Sequence, residues 1–147
     1  MNDLVRTEVV TAFLRHAGKV LLLRRSDKVG SYSGRWAGVS GYLEDATPLA
    51  QALREIREET GLTEATVHLA ASATPIEVAA PAQGKLWIVH PFLFDVDDPA
   101  RLRLDWEASE CKWIDPRTIG EFETVPMLAE ALQACLLNER GQQAHER

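Results

Sequence analysis

The stretch Arg54-Glu55-Ile56-Arg57-Glu58-Glu59 sets three acids at positions i, i+3 and i+4. On a helix, at roughly 100° per residue, Glu55, Glu58 and Glu59 share one sector of the surface. Carboxylates so placed repel one another. A cation among them relieves the repulsion. Mg²⁺, with Mn²⁺ as the alternative, suits the purpose because it takes carboxylates and keeps waters and substrate phosphates as its other ligands. A small phosphorylated ligand can then be held through the bound cation. Arg54 lies one turn before Glu58 and can orient it by a charge-assisted hydrogen bond. The competing reading is a solvated helix face carrying an ordinary Arg54–Glu58 pair. Against it stands position: the acids occupy the helix's C-terminal half, where the macrodipole disfavours them.

The helix that must carry these acids is marked at both ends. Thr47 is a good N-cap and Pro48 suits the first helical position. Gly61 is a natural C-terminal stop, so the helix is expected over Pro48–Thr60. Leu49, Leu53, Ile56 and Thr60 recur at helical spacing with Ala52 beside them, which predicts the inward stripe.

Around this helix the sequence reads mainly as strands. Glu8–Leu14 and Val20–Leu23, separated by the turn His16-Ala17-Gly18-Lys19, predict a hairpin over about residues 5–25. The continuous apolar run of the second strand suggests burial on both faces. Residues 26–35 form a polar loop with Gly30 and Gly34, of the kind that often carries function. Trp36–Leu43 predicts a short strand with close backbone approach near Gly38 and Gly41. Ala65–Val78 contains a strand or two, Lys85–Val96 is a strongly apolar strand, and Glu110–Ile114 is a short alternating one. Asp115-Pro116 starts a turn. Pro126 opens a final helix to about Glu139, and a polar tail follows from about Gly141. The expected class is α+β, an α/β/α sandwich with a mixed sheet between helices.

Composition bounds the function. The chain of 147 residues fits a single domain. Its apolar share of 46% and charged share of 26% are those of a soluble globular protein. No apolar run approaches the roughly 20 residues of a membrane span, and the N-terminus lacks a secretory pattern. The formal charge of −6 argues against a general nucleic-acid binder. Cys111 and Cys135 match no metal or redox spacing, and Cys135 among leucines reads as a buried core thiol. A reducing cytoplasm fits this cysteine usage.

Arg54-Glu55-Ile56-Arg57-Glu58-Glu59-Thr60-Gly61-Leu62 resembles the second half of the Nudix box, and every fixed position of that half is met. Gly41-Tyr42-Leu43-Glu44 resembles its start. Trp36 before the box, the N-terminal hairpin, and Trp113 followed by Asp115-Pro116 agree with the family. The resemblance spans most of the chain, with its specificity in roughly residues 36–62. The loop before the helix departs from the box. Counted back from Arg54 without a gap, the box glycine falls on Ser40 and its glutamate on Ala46. A one-residue deletion restores Gly41 as the box glycine, and Asp45-Ala46 then stands where the family carries Gly-Glu.

The resemblance implies a Nudix fold and metal-dependent hydrolysis of a nucleoside diphosphate linked to another group. It makes Glu55, Glu58 and Glu59 the metal ligands, with a backbone carbonyl near Ser40 or Gly41 as a further one. Glu58 and Glu59 are also the helix acids that can orient water. A later acid often serves as base, and Glu107 is chosen over Glu110. Arg54, Gly41 and Gly61 hold the box in shape. Trp87, Trp106 and Tyr32 can stack on a base or pack in the core and rim, and both readings stand. Arg35 in the glycine-containing loop is either a phosphate contact or a surface arginine. His68 and His90 read as structural. The partner is a small diphosphate substrate, not nucleic acid or a membrane, and a homodimer is the assembly that the resemblance allows. Two other functions compete: a nucleotide-sensing or partner-binding module of the same fold with weakened catalysis, and an isoprenoid-diphosphate isomerase, which needs a catalytic cysteine in a deep pocket.

Overall fold

The computed structural model describes residues 3–145, with side chains to residue 141. Strands β1 (Val5–His16) and β2 (Lys19–Arg25) meet at Ala17-Gly18, both at positive φ, 51° and 78°. Such two-residue turns match the twist of a hairpin. The hairpin is therefore as expected, but its ladder is short, running through Arg15–Val20 and His16–Lys19. Beyond it the strands take different neighbours. β1 pairs in parallel with β7 (Lys85–Val96) from Val5 to Arg15, and antiparallel with β4 (Val39–Tyr42). β2 pairs with β3 (Trp36–Ala37) and β8 (Ala108–Ile114). The central order is β3-β2-β1-β7-β5, with β5 at Val67–Ser72 and with β6 (Ile76–Ala80) also on β7.

The apolar runs of β1, β2 and β7 are explained by burial on two faces. Val10, Ala12, Leu14, Leu21, Leu23, Phe92, Phe94 and Val96 point to one side, where Ala52 and Ile56 of helix α1 (Pro48–Thr60) cover them. Phe13, Val20, Leu22 and Leu93 point to the other, beneath Leu128, Ala131, Leu132 and Cys135 of helix α2 (Leu128–His145). Side chains alternate along a strand, so one continuous apolar sequence serves both layers. The α+β sandwich of a mixed sheet between helices is the observed class.

Backbone contact is close where the glycines predicted it. A Cβ on Gly38 would lie 2.9 Å from the Ala12 carbonyl oxygen, and one on Gly41 would overlap the Glu55 carboxyl group. Helix α2 departs from expectation at both ends. It starts at Leu128 instead of Pro126, because Met127 sits at φ 66°, outside helical space. It also continues to His145 through the segment expected as a polar tail from about Gly141. Among the described residues no helix is long and apolar enough to cross a membrane.

Candidate active site

Helix α1 is set by local chemistry. The Thr47 hydroxyl accepts from Ala50 N–H at 3.1 Å, and Gly61 closes the C-terminus at φ 74° with its N–H on Arg57 carbonyl at 3.0 Å. The expected stripe is inward at Ala52, Ile56 and Thr60, with Leu53 packed against the core, but Leu49 is 37% exposed and the buried face also takes in Gln51, Glu55 and Glu59. Two acids thus point inward with the core, an arrangement that costs folding free energy unless something compensates. Glu58 does not join them. It is half-exposed and accepts from Arg54 Nε at 3.0 Å, the pair foreseen in the sequence.

The segment after β7 brings in a third, part-buried acid. Arg103 N–H donates to the Thr60 carbonyl at 2.8 Å and Asp105 N–H to the Glu59 carbonyl at 3.2 Å. These are the carbonyls that a helix end leaves without partners. On its other side, Ser26 N–H donates to the Glu107 carbonyl and Ser26 Oγ to the Trp106 carbonyl, both at 2.8 Å. So fastened between α1 and the end of β2, Glu107 meets Glu55 and Glu59. One oxygen from each of these three carboxyls lies within 4.8 Å of the others. Glu110, the alternative acid, instead pairs with Arg24 at 2.8 Å on the strand surface.

Crowding and burial set the electrostatics. The Glu59 carboxyl is pushed up to about 11, by burial first and then by Glu55, Glu107 and Asp105. Burial also raises Glu55, opposed by its hydrogen-bonding neighbours Glu59 and Gln51. Glu107 is raised by burial and by Asp105. Arg25, at the end of β2, is buried beside Glu107 and Glu59. Burial lowers its pKa, and the two acids work against that shift. Glu59 Oε2 is buried and has no hydrogen-bond partner among the described residues. Three converging oxygen donors, one of them unpartnered, fit a hard divalent cation such as Mg²⁺ or Mn²⁺.

Of the three acids, Glu107 lines a cavity of about 280 Å³ bounded by β1, β4, β6, β7, the loop at residues 29–32 and the start of α2. Glu107, Arg25, Ser40 and Gly41 lie on its wall, and Trp87, Tyr42, Tyr32, Trp106 and Met127 line the rest among valines. Trp87 is 8% exposed, and its Nε1–H has no partner. Lys85 Nζ sits 4.7 Å from the Trp87 ring centroid, over the ring face. Arg35 is absent from the cavity wall. It lies near Tyr32, with its guanidinium carbon 5.8 Å from that ring, and donates to the Thr124 carbonyl at 3.4 Å. His68 and His90 pair with Asp97 and Glu8 on the sheet. Cys135 is fully buried on the inner face of α2, as expected, and burial pushes its thiol up to about 12.

The sequence reading thus missed Arg25, Gln51, Tyr42 and Met127. Gln51 had a usable signal, since it precedes Glu55 by one helical turn. Arg25 had none, because its register at the end of β2 comes from pairing with β8.

The profile of the NUDIX domain family matches residues 5–135. No curated protein matches the chain. Among solved structures, the chain is similar to a MutT protein from Methanosarcina mazei Go1, with a TM-score of 0.69 and 24% identity over 98% of both chains. It is also similar to an Ap4A hydrolase of C. elegans in a binary complex, with a TM-score of 0.70 and 17% identity over 98% of this chain and 100% of that one. A Nudix hydrolase from M. smegmatis, RenU, gives a TM-score of 0.65 and 20% identity over 99% of this chain and 86% of that one. At such identities the likeness to these structures is one of fold. The match over nearly the whole chain, on a box helix whose Glu55 and Glu59 meet the cavity-lining Glu107, makes this protein a member of the NUDIX domain family and a pyrophosphohydrolase by class.

Proposed function

We propose that the protein hydrolyses the diphosphate linkage of a nucleoside diphosphate derivative with Mg²⁺, or Mn²⁺ in its place. The observation that carries this reading is the Glu55–Glu59–Glu107 cluster at the cavity wall, with Glu59 Oε2 unpartnered. Glu55 and Glu59, with Glu107, hold the cation; Glu58 stands beside them, paired with Arg54. When bound, the cation neutralises charge on the diphosphate oxygens and makes a bound water more acidic. Glu107, raised by burial and on the cavity wall, is placed to take the proton of the attacking water. Arg25 brings a positive charge to the same wall and faces the phosphates, the role first considered for Arg35.

Trp87 favours a nucleobase in the cavity. Its ring, on the cavity wall with Tyr42 beside it, offers a flat apolar surface of the kind on which a base packs. The isoprenoid isomerase reading has no support in the cysteines. Neither the exposed Cys111 nor the core residue Cys135 lies on the cavity wall.

The test is a panel of nucleoside diphosphate derivatives, including triphosphates, nucleotide sugars and dinucleotides, assayed with Mg²⁺ or Mn²⁺ for phosphate-containing products. Turnover that falls by at least 100-fold in Glu59→Gln is expected, in line with loss of a metal ligand that polarises the reacting group. Glu58→Gln tests the remaining helix acid. An effect as large as that of Glu59→Gln would return Glu58 to the metal site. No turnover on any substrate, with nucleotide binding retained, would favour the sensing module instead.

A further inference from the structure

Gln51 is fully buried in helix α1, one turn before Glu55. Its Oε1 accepts from two successive backbone N–H groups, those of Glu44 and Asp45, each at 2.8 Å. Its Nε2 donates to Glu55 Oε1 at 2.9 Å. The orientation of this amide is fixed by its partners. Two N–H donors demand the oxygen on the loop side, so the NH₂ group must face the carboxylate. On the other side, the Glu55 carboxyl lies against the Cα of Gly41, where a Cβ would overlap it. Glu55 is therefore held between the backbone of β4 and the amide of Gln51.

We propose that Gln51 is a positioning residue of the cation site, tying the shortened Glu44-Asp45-Ala46 loop to Glu55. This inference rests on the reading of Glu55 as a metal ligand. The loop places Ala46 where the box carries a glutamate, so it supplies no acid of its own at that point. Two orphan N–H groups of that loop are instead satisfied by one side chain, whose other end presses Glu55 into a single rotamer. The Glu55 carboxylate then meets the cation without losing rotamer freedom on binding, and it has one oxygen already engaged by a neutral donor. A partner that orients a metal-binding carboxylate typically changes metal affinity by 10- to 100-fold.

The experiment measures Mn²⁺ binding by electron paramagnetic resonance of the free ion, independently of turnover. It uses the wild type, Gln51→Met, which conserves volume and helix propensity, and Gln51→Ala, which removes the amide outright. Each is also made in a Glu55→Gln background. Folding is followed by circular dichroism in chelator. Binding weakened by about 10-fold or more in either Gln51 variant is expected, with turnover recovering as Mg²⁺ is raised. In the Glu55→Gln background the same Gln51 changes should have no further effect, because the group they orient is gone. Unchanged Mn²⁺ binding in both variants overturns the proposal. So does an equal loss in both backgrounds, which is what a purely structural role predicts. A wild type that binds no Mn²⁺ overturns the metal-site reading itself, and the positioning role with it.

Discussion

Replacing Glu59 by Gln should stabilise the protein in chelator while removing its activity. The Glu59 carboxyl is 6% exposed, and burial among Glu55, Glu107 and Asp105 moves it from 4.5 to about 11. At pH 4 the residue is protonated in folded and unfolded chains alike and costs nothing. As pH rises past the ordinary carboxyl value, the unfolded chain releases its proton and the folded one keeps it. Stability therefore falls with pH up to the folded value. At about 1.4 kcal/mol per pH unit, from 4.5 to pH 7, the cost is on the order of 3 kcal/mol, shared across the coupled cluster. Glutamine has the same shape and no charge, and its NH₂ group can donate to Glu55 or Glu107. In EDTA at pH 7 the variant should melt about 5–10 °C above the wild type, and the gain should shrink towards zero near pH 5. Mn²⁺ should then raise the melting point of the wild type far more than that of the variant, because the cation does in the wild type what neutralisation does in the variant. The readout is thermal unfolding by circular dichroism against pH, with and without Mn²⁺. A variant no more stable than wild type in EDTA at pH 7, or one with the same gain at pH 5, would refute the claim that folding obliges Glu59 to keep a proton the unfolded chain releases.

Gly41→Ala should cost at least about 2 kcal/mol or displace Glu55, since the new Cβ would overlap a carboxyl group already tied to Gln51. The paired readouts are melting temperature and Mn²⁺ affinity, and a neutral result in both would contradict the packing described. Trp87→Ala removes the ring from the cavity wall, so KM for a nucleotide substrate should rise about 10-fold, with kcat less affected. An unaltered KM would remove the base from this ring. Arg15 bridges Asp95 at 2.7 Å and Glu139 at 2.6 Å, joining β1 and β7 to α2. Arg15→Met should cost about 1–3 kcal/mol by leaving two part-buried acids unpaired, with KM unaffected. Denaturant unfolding checks this, and a loss below about 0.5 kcal/mol would mean the triad is a solvated surface pair.

Helix α1 was legible because its signals are local. A capping threonine, a proline at the first turn and a glycine in left-handed space act on neighbouring backbone groups, so no tertiary information is needed. The same holds for the turn at Ala17-Gly18. The partners of β1 were not legible. Hairpin pairing lasts only to Arg15–Val20, β4 pairs with β1 beyond it, and β7, remote in sequence, runs parallel to β1 from Val5 to Arg15. Nothing in the residues of β1 names that neighbour. The ends of α2 failed for a related reason: Pro126 suits a first turn, but the backbone at Met127 is bent to reach the cavity wall.

The acids of α1 illustrate the limit within a single helix. Glu58 and Glu59 are adjacent in sequence, and helix geometry alone puts both in the sector of Glu55. The sheet divides them. Glu59 lies toward β1 and β4 with Ala52 and Ile56, while Glu58 turns outward to Arg54. Polar Gln51 falls on the buried side of that line and exposed Leu49 on the other, so hydrophobicity read along the helix finds Ala52 and Ile56 but misplaces Leu49 and misses the polar members of the face. A polar residue in the core needs partners to stay there, and Gln51 has them in Glu44, Asp45 and Glu55. The inward face of this helix is thus organised around the carboxylates, with the apolar contacts of Ala52 and Ile56 anchoring it to the sheet. That mixed face holds Glu55 and Glu59 against the rigid part of the fold and leaves Glu58 on the solvent side.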